Sequence, residues 1–350
     1  MGKVRVFGLL LALLSAIGLS SPSSAQQPIR IGASMSITGK AYSVQGGYGR
    51  EGYLLCQKQV NADGRVLGRP IEFVIYDDTS DEKTAVGLYE KLITEDKVDA
   101  VLGPYGSAIT DAVADVAEKH QKLMIAPNAA TTSIWEKGRR YLIMVVSATE
   151  GMSAGALDIG ARNGLKTLAV LNQDALVPNA VTKGAIGFAK GKSLELVFSE
   201  TYPNGTADFS GLLNRVKAAK PDLFLVASIR LEDLVAITRQ MKELDFNVRI
   251  LSSLPYGLLP DYYQRLGKEA EFVYSGSFWE AGLPNPGNQE FVNAYEKEFQ
   301  PGSSRSVRQC VCWMSTVRGG GTTGWKSRFR QAPRGVAFPE NQDRVGRLRC

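Results

Sequence analysis

From Gln26 onward the chain alternates short runs dense in β-branched and large apolar residues with longer stretches whose apolar positions recur at helical spacing. Ile29–Ser36, Ile71–Tyr76, Val98–Gly103 and Leu123–Ala126 read as strands, and Tyr48–Val60, Lys83–Thr94 and Ile109–Lys119 as the helices between them. Asn61-Ala62-Asp63-Gly64 punctuates the first helix, and Asp77 and Asp78 close the second strand. After the apolar run Tyr141–Val146 the alternation restarts. Strands are predicted at Thr167–Leu171, Leu194–Phe198, Leu223–Ala227, Val248–Ser252 and Phe272–Ser277, with helices at Asn179–Ala189, Phe209–Ala218, Leu231–Leu244 and Gln289–Phe299. Strands separated by helices of this length predict parallel sheets with helical crossovers. Two successive sets predict an α/β protein of two doubly wound, Rossmann-like lobes joined by a hinge. The first lobe is expected to comprise residues 26–146 and 273–300, the second 147–272, with a crossover near Val146–Thr149 and a return near Val273–Phe278. A ligand is then expected at the carboxyl ends of the strands, in the cleft between lobes.

The two ends depart from this pattern. Lys3 and Arg5 precede the apolar run Val6–Leu19, and Ser23, Ser24 and Ala25 are the small residues a signal peptidase reads. This predicts a secretory signal cleaved near Ala25, hence a periplasmic protein; the alternative is a retained anchor. With no Cys near the cleavage region, a lipid anchor is not expected. From about Pro301 no apolar period survives: Cys310-Val311-Cys312-Trp313, Arg318-Gly319-Gly320-Gly321 and Arg347-Leu348-Arg349-Cys350 fit neither strand nor helix. Three readings stand for residues 301–350: a basic arm, a disordered terminus, or a change of reading frame, since GC-rich DNA read out of frame yields Arg, Gly, Cys and Trp.

Charge divides at the same boundary. Of the formal net +6, Lys3 and Arg5 account for +2 and residues 301–350 for +8, leaving Gln26–Gln300 at −4. A mildly acidic body gives no electrostatic reason to bind nucleic acid. Cys56 is alone in the body and reads as a small buried residue, so no disulfide framework is indicated.

Enzyme chemistry finds little support. His120 is the single histidine, which excludes His-paired zinc motifs, and its place after a helix suggests a solvated turn. Gly39-Lys40 resembles the end of a phosphate loop, but Gly32 is wrongly spaced to begin one. Gly47, Gly49 and Gly52 match G-x-G-x-x-G, with Asp77 ending the next strand. In a dinucleotide site those glycines must form the turn directly after the first strand. Here they come later, as a glycine-rich helix start. No cofactor and no metal are expected.

More informative is Val101-Leu102-Gly103-Pro104-Tyr105-Gly106-Ser107-Ala108-Ile109-Thr110, a buried strand running into glycine and proline and then a helix start. Ser107 either caps that helix or, with the amides beside it, holds a solute carboxylate. The next strand ends similarly in Ala126-Pro127-Asn128-Ala129-Ala130-Thr131-Thr132, small polar residues expected to face the same cleft.

With Ile31-Gly32-Ala33-Ser34-Met35-Ser36-Ile37-Thr38-Gly39, Ile75-Tyr76-Asp77-Asp78-Thr79-Ser80-Asp81 and Asp208-Phe209-Ser210, these segments over Gln26–Gln300 resemble the periplasmic solute-binding proteins of ABC importers, in the branched-chain amino-acid receptor family. The tail does not. The resemblance implies the type I periplasmic-binding-protein architecture, a hinged clamp that closes on a small solute (an amino acid, an aromatic or aliphatic carboxylate, or an amide) and presents it to ABC permease subunits. It implies that Ser107, with Ala108, takes a carboxylate together with Asn128, Ala129, Ala130 and Thr131, that Tyr42 covers the ligand, and that Tyr105 belongs to the same site. The second-lobe loops would contribute Asp174, Leu176, Ser228, Arg230 and Tyr256. One departure matters: the family's amino-acid binders place an acid in a second-lobe loop, and Ser253-Leu254-Pro255-Tyr256 offers none. Either the solute lacks an amine or Asp174 or Glu232 supplies the charge. A ligand-sensing regulator of the same fold and a dinucleotide-dependent enzyme are the rival readings.

Overall fold

The computed structural model describes residues 27–299 except 40, 65, 272, 278 and 279. The expected signal segment and tail, with Cys310, Cys312 and Cys350, lie outside the described residues. Strands β1 (Ile29–Met35), β2 (Ile71–Asp77), β3 (Ala100–Leu102), β4 (Met124–Ala126) and β5 (Leu142–Met144) form one sheet in the order β2-β1-β3-β4-β5. Strands β6 (Thr167–Gln173), β7 (Glu195–Tyr202), β8 (Leu223–Ala227), β9 (Ile250–Ser253) and β10 (Val273–Ser275) form the second, in the order β7-β6-β8-β9-β10. All of these pairings are parallel.

The two orders are the same. In each lobe the second strand lies on one side of the first and the third on the other, so the winding reverses between β1 and β3 and again between β6 and β8. Where winding reverses, the loops leaving the two strands part and open a crevice at their carboxyl ends. The topology therefore singles out the segments after β1, β3, β6 and β8.

The central strands are apolar on both faces because helices cover both, and every residue of β8 is buried. Alternation assigns the faces: Ala169, Leu171 and Phe224 pack with Phe209, Ile237 and Tyr262 on one side, while Leu168, Val170 and Leu225 pack with Val181 and Ala185 on the other. The first lobe's core gathers Met35, Tyr89, Leu92, Val113 and Met124.

The predicted helices are present as α1 (Ser43–Ala62), α2 (Glu82–Thr94), α3 (Ser107–Lys119), α5 (Leu176–Gly191), α6 (Ser210–Ala218), α7 (Leu231–Glu243) and α9 (Asn288–Glu298); α4 (Ala154–Arg162) and α8 (Pro260–Leu266) were not anticipated. Each of these two buries only two side positions, Leu157 and Gly160 in α4, Tyr262 and Leu266 in α8, too few to print a helical period. The helix predicted from Tyr48 starts earlier, at Ser43. Its glycines explain why. Gly46, Gly49 and Gly52 form a buried stripe, and a Cβ on Gly46 would sit 2.2 Å from the Ser36 carbonyl oxygen, one on Gly49 3.1 Å from Met35 Sδ. Of the G-x-G-x-x-G match, Gly49 and Gly52 belong to this stripe while a Cβ on Gly47 would meet nothing, and all three lie inside a helix rather than in a phosphate turn.

One boundary is corrected. Val273–Ser275, expected to begin the return to the first lobe, pairs with β9 in the second sheet. The return follows Ser275: α9 buries Phe291, Val292 and Tyr295 against Leu55 and Cys56 of α1, and Glu298 pairs with Lys58.

Candidate ligand-binding cleft

The strand end after β3 has one forced position. Gly106 has φ +95°, and a Cβ there would lie 3.1 Å from Tyr42 Cε2. Glycine alone adopts such a backbone without strain. Gly106, not Ser107, occupies the cap position of α3, and it makes no side-chain cap. Ser107 is therefore the first residue of the helix and not its cap. Its Oγ accepts hydrogen bonds from Thr131 Oγ1 at 3.0 Å and from the Ala130 amide at 3.3 Å, linking the ends of β3 and β4. Ser107, Thr131, Ala129 and Ala130 are all buried and Ala108 is half-buried, a neutral floor of hydroxyls and amides.

Asn128 is buried and bonded within the first lobe. Its amide donates to Tyr53 Oη at 3.2 Å, Tyr53 donates to the Gly103 carbonyl at 2.9 Å, and the Gly106 amide donates to the Asn128 carbonyl at 3.1 Å. Asn128 thus ties the two strand ends together from beneath the floor. The floor is also tied to the lobe crossover: the Thr149 amide donates to the Ala130 carbonyl at 2.8 Å, and Thr132 donates Oγ1 and its amide to Glu150 Oε1 at 2.6 and 3.3 Å. Glu150 Oε2 is buried with no hydrogen-bond partner among the described residues.

Tyrosines wall this floor. The Tyr42 and Tyr105 rings are tilted with centroids 5.5 Å apart, and both side chains are buried. Burial, helped by the Glu82 charge, pushes the Tyr42 hydroxyl up to about 12. From the other lobe comes Tyr256, half-buried in the turn after β9; burial and the nearby Tyr105 and Tyr42 phenols hold its hydroxyl well above the ordinary range. The lobes also meet at Ile229, after β8, which packs on the first lobe's core as well as the second's. The loop carrying Tyr42 is held from below. Asp77 accepts from the amides of Ile37 and Thr38 and from Thr38 Oγ1, while buried Asp78 accepts from Ser34 and Ser36 at 2.6 and 2.7 Å.

In the second lobe, Ser228 and Arg230 follow β8 and belong to a network the sequence did not reveal. Asp233, 2 % exposed, accepts from Tyr202 Oη and Ser228 Oγ at 3.0 Å each and from Arg230 Nε at 3.1 Å. Gln173 Oε1, at the end of β6, accepts from the Ile229 amide at 3.1 Å and lies 3.2 Å from Ser228 Oγ. Leu176 opens α5 half-buried, and Asp174 is exposed, accepting from Asn179 at 3.2 Å. The structure therefore gathers Tyr42, Tyr105, Ser107, Ala130, Thr131 and Tyr256, and turns Asn128 inward. It leaves Asp174 on the surface. Asp233 carried one signal, its place three residues after Arg230; Gln173 and Tyr202 carried none beyond ending their strands.

Two lobes of one winding, with neutral hydroxyls and tyrosines at their facing strand ends, define a two-lobed binding protein. The chain belongs to the periplasmic binding protein family, whose model matches residues 28–316. That match runs beyond Gln300, the end of the resemblance in the sequence. A leucine-, isoleucine-, valine-, threonine- and alanine-binding protein of Pseudomonas aeruginosa is 26% identical over 293 residues, covering 83% of this chain and 77% of that protein. Among solved structures, the branched-chain amino-acid substrate-binding protein LivJ of Streptococcus pneumoniae, in complex with isoleucine, aligns with a TM-score of 0.72 at 22% identity, covering 84% of this chain and 83% of that one. A solute-binding protein of an ABC transporter from Rhodopseudomonas palustris, in complex with 3,4-dihydroxybenzoic acid, aligns with a TM-score of 0.70 at 25% identity, covering 85% and 81%.

Proposed function

We propose that this chain is the extracytoplasmic, periplasmic receptor of an ABC importer, and that it captures an amine-free carboxylate by lobe closure and hands it to the permease. No covalent step is involved. Contacts to both lobes stabilise the closed state, and the closed state is what the membrane subunits read. The ligand carboxylate is assigned to Ser107, Thr131 and the Ala130 amide, and its body to Tyr42, Tyr105 and Tyr256.

The disposition of acids carries the choice of solute. Asp233 is committed to Arg230, Tyr202 and Ser228. Glu232 is exposed and faces Arg265 at 3.7 Å, and Asp174 is exposed. Burying an ammonium without a partner costs several kcal/mol. The tyrosine walls favour a flat or branched apolar body, in keeping with the dihydroxybenzoate held by the Rhodopseudomonas palustris relative.

An α-amino acid is the second reading, and Glu150 is what favours it, since its buried Oε2 lies beside the floor. Calorimetric titration with benzoate and with leucine separates the two. Preference for benzoate, with a contraction in small-angle scattering on binding, is the expected outcome. Preference for leucine, abolished by Glu150→Gln, reverses the assignment.

A further inference from the structure

The loop after β8, beside the seam between lobes, carries a cation whose setting is not that of a surface ion pair. Arg230 occupies the cap position of α7, with an extended backbone and no side-chain cap. Helix starts favour Ser, Thr, Asp or Asn there, and the positive end of the helix dipole disfavours a cation. The sequence nevertheless places an arginine at that point, and the fold restrains it. Its amide donates to Ser228 Oγ at 3.0 Å and its Nε to Asp233 Oδ1 at 3.1 Å. Asp233 is fixed in turn by Tyr202 and Ser228, each at 3.0 Å, and is 2 % exposed. The guanidinium is therefore anchored by one edge. The Arg230 side chain is 33% exposed, and its two terminal amino groups have no partner among the described residues. Its neighbour Ile229 packs against the first lobe, which puts this loop at the seam between lobes.

An arginine held through Nε, with its fork left free, binds an oxygen acceptor in a fixed direction. Asp233 cancels its charge, so a phenol oxygen suits the fork as well as a carboxylate does. Resting on the carboxylate reading above, we infer that Arg230 forms a second polar subsite. The solute is then bifunctional: a carboxylate at the Ser107 floor and, at its far end, a phenol or a second carboxylate.

The test compares benzoate, 4-hydroxybenzoate and benzene-1,4-dicarboxylate on the whole protein by titration calorimetry. The protein should bind at least one of the two para-substituted acids about tenfold or more tightly than benzoate. Which one identifies the far group. Arg230→Met should bring that ratio to near one. Because Arg230→Met leaves Asp233 without its cation, Arg230→Lys serves as a second variant that keeps the charge and removes the fork; it too should lower the ratio. A ratio near one in the unaltered protein, or a ratio that both variants leave intact, overturns the subsite alone. Leucine binding with no binding of any of the three acids overturns the subsite and the amine-free reading together.

Discussion

Ser107→Ala and Thr131→Val test the floor as a unit. Ser107 Oγ receives the Thr131 hydroxyl at 3.0 Å and the Ala130 amide at 3.3 Å, between residues that are 3 %, 1 % and 7 % exposed. Removing Oγ leaves two buried donors without an acceptor. An orphaned buried donor costs about 1–3 kcal/mol, and the longer Ala130 bond puts its share at the low end. The free protein should therefore lose about 1–3 kcal/mol in urea unfolding followed by tyrosine and tryptophan fluorescence. Thr131→Val orphans the opposite side of the same bond. In the double variant both groups are gone, so the losses should fall short of additivity by about 1 kcal/mol. Because the same oxygen is assigned to the ligand, Ser107→Ala should also weaken a carboxylate by roughly five- to 150-fold in calorimetry. Strictly additive losses would refute the bond. Unchanged carboxylate affinity would remove Ser107 from the site even if the stability loss is found.

Three further outcomes follow from neighbouring geometry. Gly106→Ala sets a Cβ at φ +95° and 3.1 Å from the Tyr42 ring, so stability should fall by about 1–2 kcal/mol or more and ligand affinity with it, measured by urea unfolding and titration. Tyr53→Phe removes the acceptor of the Asn128 amide and the donor to the Gly103 carbonyl; it should cost about 1–3 kcal/mol in stability while changing affinity less than Ser107→Ala does. Burial raises the Asp78 carboxyl above 3.8, whereas Asp77, despite partial burial, is brought below it by hydrogen bonds from Thr38, Thr79 and Ile37. A raised folded pKa means that the Asp78 contribution is present below about pH 3.8 and is lost as pH climbs through the raised value. Unfolding measured across that window should show this fall in the unaltered protein and not in Asp78→Asn, with the opposite slope of Asp77 common to both.

Much of the fold was legible because central parallel strands are buried on both faces and so print continuous apolar runs such as Leu223–Ala227. Membership was harder to read. Val273–Ser275 looks the same in sequence whether it joins one sheet or the other, and only its pairing with β9 decides. The glycines of α1 were legible as a helix start, but not why they are glycines: the helix must approach Ser36 and Met35 closely. At the floor, the place of Ser107 was readable from its position after a glycine-proline strand end. Its partners lie 23 and 24 residues away, which left its role open between cap and floor. The bond from the Asn128 amide to Tyr53, 75 residues distant, left no trace in the sequence. Asp233 was hidden as an ordinary acid in a helix's first turn, where acids are favoured anyway.

Leucine and 4-methylpentanoate share one branched apolar body and one carboxylate and differ by the ammonium group. Titrating both into the protein asks whether the cleft has a place for that charge. With Asp233 already paired and the Ser253–Tyr256 loop free of acids, 4-methylpentanoate should bind more tightly than leucine. Tighter binding of leucine would contradict the account and return the solute to the α-amino acids.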